Sequence, residues 1–308
     1  MNTEFDKAIF IDQCNLFFSY LIRKKEWSGI TMDNYLKWIN NFKTIEKGNY
    51  ISARILNHML YYSEDDLIKL LDDAIQSIFD KEIILQKQLE NNFSCSNSVL
   101  EYEIQKCSSS IVIIPIMEDM QDPGASGPEI VRKVRNHMSY PFQTSYHFKL
   151  LEDMTYKRII MIDDCIGSGD QCKSFWEEAQ ISSGKLLKDW VEEKKIKPFI
   201  VTLVGYRKTI DELHNEYPNL NFICAEMIDD KHQVFSEDSN CWKDHEEQKE
   251  AERILTSRLS ELGITTRGHA DLSFAVVFHK TIPDWSLPLL FKHKNEWNNL
   301  IERKDSYV

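Results

Sequence analysis

No apolar run in this 308-residue sequence approaches the ~18 residues that a membrane-crossing helix needs, so a membrane protein is not expected. The start, MNTEFDKAIFIDQ, has neither a basic leading segment nor a small-residue cleavage site, and a secretory signal is not expected either. Cysteine never occurs as a CxxC pair. Cys14, Cys95, Cys107, Cys165, Cys172, Cys224 and Cys241 are odd in number and widely spread, which argues against structural zinc and for reduced thiols in the cytoplasm. Positive charge is in deficit: 37 Lys and Arg face 49 Asp and Glu, a net charge of −12. That balance disfavours nonspecific nucleic-acid binding across the whole surface, since neutralising phosphates needs clustered cations. Basic groups remain locally at Arg132, Lys133 and Arg135, at Lys157 with Arg158, and at Arg207 with Lys208. There is no internal repeat and no low-complexity tract.

The most informative residues present are RIIMIDDCIGSGDQ, at 158–171. Arg158 to Ile162 reads as a short buried strand of the parallel kind. Asp163 and Asp164 then emerge at the carboxyl edge of a sheet, where open α/β folds bind ligands. Gly167, Ser168 and Gly169 follow, able to close backbone N–H groups around an anion at the start of a helix from Asp170. An acid pair beside an anion loop points to a phosphorylated sugar. Asp170 sits awkwardly for that ligand, because a carboxylate ~5 Å from a phosphate costs roughly 1 to 3 kcal/mol. It is expected to turn away and cap the helix. Paired acids after a strand also occur in response-regulator receivers and metal-dependent phosphatases. Receivers carry them near the chain start, and the phosphatases need an acid two residues beyond the nucleophile, whereas Asp163 and Asp164 are followed by Cys165 and Ile166.

Upstream, the first hundred residues read as helical. Met32, Tyr35, Leu36, Ile39 and Phe42 have amphipathic helix spacing, and Ser63 with Asp66 forms a capping box before Leu67, Leu70, Leu71, Ala74, Ile75, Ile78 and Phe79. Trp38, Phe42, Tyr61 and Tyr62 read as packing. The stretch NNFSCSNS at 91–98 is the expected linker, placing a helical region at 1–98 and an α/β domain at 99–308, with an extension from 229. Within the latter, strands at Ile111 to Met117, Ile159 to Ile162, Phe199 to Val204 and Phe222 to Met227 alternate with helices from Glu129, Asp170 and Thr209, which implies a parallel central sheet. Leu272 to Phe278 is a further apolar run. After the first of these strands, Gly124, Ala125, Ser126 and Gly127 allow a close backbone approach. Ser126 with Glu129 matches a helix cap, Pro128 fits the first turn, and Arg132 and Arg135 suit anionic oxygens. Glu118, Asp119 and Asp122 nearby fit such an anion only with magnesium between them.

Strand, double acid, small-residue loop and helix in this order resemble the signature of type I phosphoribosyltransferases. That resemblance implies that Asp163 and Asp164 hold the ribose hydroxyls of phosphoribosyl pyrophosphate (PRPP), that Cys165, Ile166, Gly167, Ser168, Gly169, Asp170 and Gln171 surround the 5′-phosphate, and that Gly124, Ser126, Gly127, Arg132 and Arg135 serve the pyrophosphate. It also implies a magnesium ion, with Asp163 and Asp164 as its ligands. Purine-type members carry an acid where this sequence has Gly167, so that acid-base group is missing here. The tail from Gly268 to Asp271 and from His279 to Phe291, with Trp285, Trp297 and Arg303, resembles a divergent phosphoribosyltransferase-like family of bacterial conflict systems. The resemblance implies an α/β fold with a helical N-terminal region and a C-terminal hood, an antiphage effector role on PRPP, a ribose phosphate or a nucleotide, and in retrons a restraining partner made of reverse transcriptase and nucleic acid. A non-catalytic PRPP- or nucleotide-binding module and a housekeeping salvage enzyme are the alternatives. Trp285 also reads simply as a buried anchor, and an oligomer is compatible with the sequence.

Overall fold

A computed structural model of the chain describes residues 3–117, 126–145, 151, 155–294 and 296–303. In chain order these begin with α1 (Thr3–Arg23), α2 (Met32–Asn40), α3 (Gly48–His58), β1 (Leu60–Tyr62), α4 (Glu64–Phe79), α5 (Leu85–Glu90) and α6 (Asn97–Ser108). Next come β2 (Ile111–Pro115), α7 (Ser126–His137), β3 (Gln143–Thr144), β4 (Arg158–Ile166), α8 (Asp170–Glu178) and α9 (Leu187–Glu193). The last elements are β5 (Lys197–Tyr206), α10 (Arg207–Glu216), β6 (Asn221–Ile228), α11 (His245–Glu261) and β7 (Val276–Phe278). Among the described residues no helix is long and apolar enough to cross a membrane.

The chain divides into two compact units, one of Met1–Asp66 with Ile228–Asp305, the other centred on Leu67–Met227. The division falls elsewhere than the polar stretch at 91–98. Helices α4 to α6 belong with the sheet, because the face that α4 buries (Leu67, Leu71, Ala74, Ile75, Ile78, Phe79) leads into the aromatic contacts of Phe79 with Tyr140 and Phe142. The second unit ends at Met227 and the first resumes at Ile228.

In the sheet unit the strand order is β3-β2-β4-β5-β6, with β2 parallel to β3 and to β4, and β4 parallel to β5. Every residue of β2 is buried, and β4 and β5 are nearly so. Strands apolar on both faces are what a parallel sheet with helical covers requires. Four of the expected strands are therefore present, β4 and β5 longer than expected, while the two-residue edge strand β3 had no sequence signal of its own. Helix α7 starts at Ser126, three residues before the expected Glu129.

The other unit is built on α1 to α3, α11 and the short parallel pair β1 and β7, which joins Leu60 to Val276 and Tyr62 to Phe278. Neither run announces a strand, since three residues give no period. Trp38 is fully buried, touches Phe42 with ring centroids 4.6 Å apart, and donates its indole N–H to the Leu289 carbonyl at 2.8 Å. Trp297 donates to the same carbonyl at 2.9 Å. Trp285 is an anchor, edge-on to Phe274 at 5.3 Å. Leu36, expected on the apolar face of its helix, is exposed. The capping box is as read: Ser63 Oγ accepts from Asp66 N at 3.2 Å, and Asp66 Oδ2 accepts from Ser63 N at 3.0 Å.

Candidate functional site

Strand β4 does not stop at the acids. It pairs with β5 through Asp163 opposite Thr202, Cys165 opposite Val204 and Ile166 opposite Gly205. Cys165 and Ile166 are thus strand residues rather than the first part of the loop. The turn itself is Gly167, Ser168 and Gly169, after which α8 begins at Asp170. On the other side the ladder with β2 ends at Pro115 opposite Ile162. Beyond that point the edge beside Asp163 is filled by the start of α7.

Ser126 makes the join. Its hydroxyl donates to Asp163 Oδ1 at 2.6 Å, and the Asp164 N–H donates to the same oxygen at 2.9 Å. Ser126, expected to cap its helix, is the first residue of α7, and its hydroxyl ties the segment after β2 to the acids of β4. Gly127, expected to approach an anion, is explained by packing, since a Cβ there would lie 2.6 Å from the Ile116 carbonyl oxygen and 2.9 Å from the Pro115 side chain. Only glycine lets α7 lie this close to the end of β2. Gly124, Ala125, Glu118, Asp119 and Asp122 lie outside the described residues.

Both acids are buried, Asp163 with 3% and Asp164 with 8% of its surface exposed. Burial pushes the Asp163 carboxyl well above the ordinary carboxylate range, and the charge of Asp164 adds to it, while Ser126 and the Asp164 N–H pull the other way. Asp164 is raised too, again chiefly by burial, with hydrogen bonds from Cys165 and Ser126 opposing. Two carboxyl groups this close and this dry do not titrate independently of one another. Thr202, next to Asp163 on β5, is buried and bonded to the Val204 carbonyl at 3.0 Å, so it shapes the wall without competing for the acid.

Gly169 precedes α8 with φ of +84°, and its carbonyl accepts from Lys173 N at 3.0 Å, the first turn of the helix. The N–H groups of that turn have no partner within the helix. Asp170 is not the cap. It occupies the first helical position with its side chain exposed, where a carboxylate complements the helix dipole; its backbone N–H faces Ser168 Oγ at 3.4 Å. Gln171 is half-buried in the same turn. Arg132 and Arg135 are exposed and, six and nine residues after Ser126, lie on the far side of α7 from it. They are not brought to the acids. Lys133, seven residues on and so on the Ser126 side, is buried and 3.6 Å from Glu129. Its sequence signal was only a basic cluster.

A parallel sheet with buried paired acids and a glycine-serine turn at the carboxyl end of one central strand defines a phosphoribosyltransferase-like domain. The chain belongs to the PRTase-CE family, whose model matches residues 35–303. Among solved structures it is similar to the crystal structure of orotate phosphoribosyltransferase from Aeropyrum pernix, with a TM-score of 0.26 and 12% identity over 42% of this chain. The chain spans 65% of that enzyme's length, less than two thirds. No curated protein matches.

Proposed function

We propose that the acid pair and the Gly167–Gly169 loop hold a phosphorylated ribose, PRPP or a nucleotide, and that the protein uses this site as an antiphage effector. The observation that carries the reading is the 2.6 Å bond from Ser126 to Asp163, which ties the segments after β2 and β4 into one site beside the N-terminus of α8. Asp163 and Asp164 accept hydrogen bonds from the ribose hydroxyls, and the loop N–H groups take the 5′-phosphate. Magnesium fits the donor set, because two carboxylates and a hydroxyl are hard oxygen ligands. When bound, the ion neutralises the charge on a phosphate leaving group. The chain's own part is to orient the sugar and exclude water. Loss of the leaving group at the anomeric carbon, through an oxocarbenium-like state, asks for charge stabilisation more than for a strong base. Gly167 in place of an acid is compatible with that chemistry.

Asp170 at the mouth of the loop supports a second reading, a non-catalytic sensor whose site binds the ligand and changes a partner complex made of reverse transcriptase and nucleic acid. Incubation with labelled PRPP or nucleotides, followed by measurement of released base or phosphate, separates the two. Release that depends on Asp164 supports the enzyme; tight binding without release supports the sensor.

A further inference from the structure

Helix α1 is apolar on two opposite faces. Cys14, Phe18 and Ile22 are buried in the core of their own unit. Phe5, Ile9, Leu16 and Tyr20 are exposed, with 63%, 41%, 74% and 55% of their surface open. At about 100° per residue these four fall within a stripe about 60° wide, roughly opposite the buried face. A helix with apolar residues all round is one that is covered all round, yet among the described residues nothing covers this side.

We infer that α1 is the self-association surface of the protein, pairing antiparallel with α1 of a second copy about a two-fold axis between Asp12 and Gln13. The spacing of the stripe is self-complementary, as an isologous contact demands. In one antiparallel register Phe5 meets the partner copy's Tyr20 and Ile9 meets its Leu16. The end charges agree with that direction. The helix has Glu4 and Asp6 in its first turn, Arg23 in its last, and Lys24 and Lys25 just beyond. Antiparallel pairing sets each acidic end against a basic one, whereas parallel pairing stacks like on like. Four side chains from each copy, two of them aromatic, cover on the order of 1,000 Å² in total, near the lower limit of specific interfaces. A membrane surface suits the stripe less well, because Asp6 flanks its N-terminal end.

The test uses the full chain in sedimentation velocity across about 1 to 100 µM, together with mild oxidation of a Gln13→Cys variant. A dimer is expected whose dissociation constant rises at least tenfold in the exposed-site variant Leu16→Glu. Gln13→Cys, near the axis, is expected to form a disulfide-linked dimer that wild type and Lys37→Cys do not form. A wild-type protein that stays monomeric at 100 µM overturns the inference. A dimer unaffected by Leu16→Glu, or one without the Gln13→Cys cross-link, also overturns it and transfers the contact to another face, such as exposed Leu85, Leu89, Phe93, Val99 and Tyr102 around α5 and α6.

Discussion

Replacing Gly169 by alanine tests whether the anion loop has the backbone it requires. At φ of +84° a side chain is disfavoured, at a cost of about 1–2 kcal/mol. The new Cβ also lies 2.8 Å from Thr209 Cγ2 and 3.3 Å from Leu213 Cδ1, inside the ~3.5–4.0 Å at which carbon atoms attract. Both neighbours are buried on α10, so relief is limited and overpacking adds about 1–3 kcal/mol. The sum, roughly 2–5 kcal/mol, lowers the melting temperature by about 4–20 °C at 2–4 °C per kcal/mol. Thermal melts of Gly169→Ala, Thr209→Ser and the double variant apportion it. Serine removes the Cγ2 that clashes, so the double variant regains the packing part and keeps the backbone part. A Gly169→Ala protein that melts within a degree of wild type, or a double variant no better than the single one, refutes the reasoning.

Ser126→Ala leaves Asp163 without its 2.6 Å donor; a stability loss of about 1–3 kcal/mol is expected in urea melts, and infrared titration should show the Asp163 carboxyl raised further. Asp163→Asn removes a buried acid whose folded-state pKa lies above its unfolded one. Such a group favours folding most when the pH is below the ordinary carboxylate value, and the benefit is lost as pH rises through the raised one. Without added dications, the melting temperature of Asp163→Asn relative to wild type should therefore climb from about pH 4 to pH 8, and a flat or falling difference contradicts the assignment. In bacteria, expression of the wild-type chain without its restraining partners should stop growth and Asp164→Ala should relieve the arrest; equal toxicity of the two, with the variant folded, places the activity outside this site.

The strands β2, β4, β5 and β6 were legible because each is a dense apolar run bounded by turn residues, and the start of α8 because glycines and acids stand in order before it. The double acid was legible for the same reason. What the sequence hid was long-range. That Cys165 and Ile166 continue the strand depends on pairing with Val204 and Gly205, and no local pattern carries a register. Ser126 looked like a helix cap because S-x-x-E before an apolar helix is one; it is the first residue of α7, and its hydroxyl donates to a buried carboxylate 37 positions away, a partner no local pattern carries. The arginines of α7 suited an anion by charge, but six and nine residues after Ser126 the helix turns them away. That Gly127 packs against the Ile116 carbonyl is likewise a long-range contact. The split at Asp66 was hidden by the polar stretch at 91–98, which is a turn between two helices of the same unit.

Isothermal titration of the full chain with PRPP and magnesium, alongside Asp163→Asn/Asp164→Asn, asks whether the acid pair of β4 and the loop ahead of α8 form a ribose-phosphate site. Saturable binding to wild type and at least tenfold weaker binding to the folded double variant are expected, since charge-assisted hydrogen bonds are worth roughly 1.5–3 kcal/mol each. Equal affinity in both proteins contradicts it.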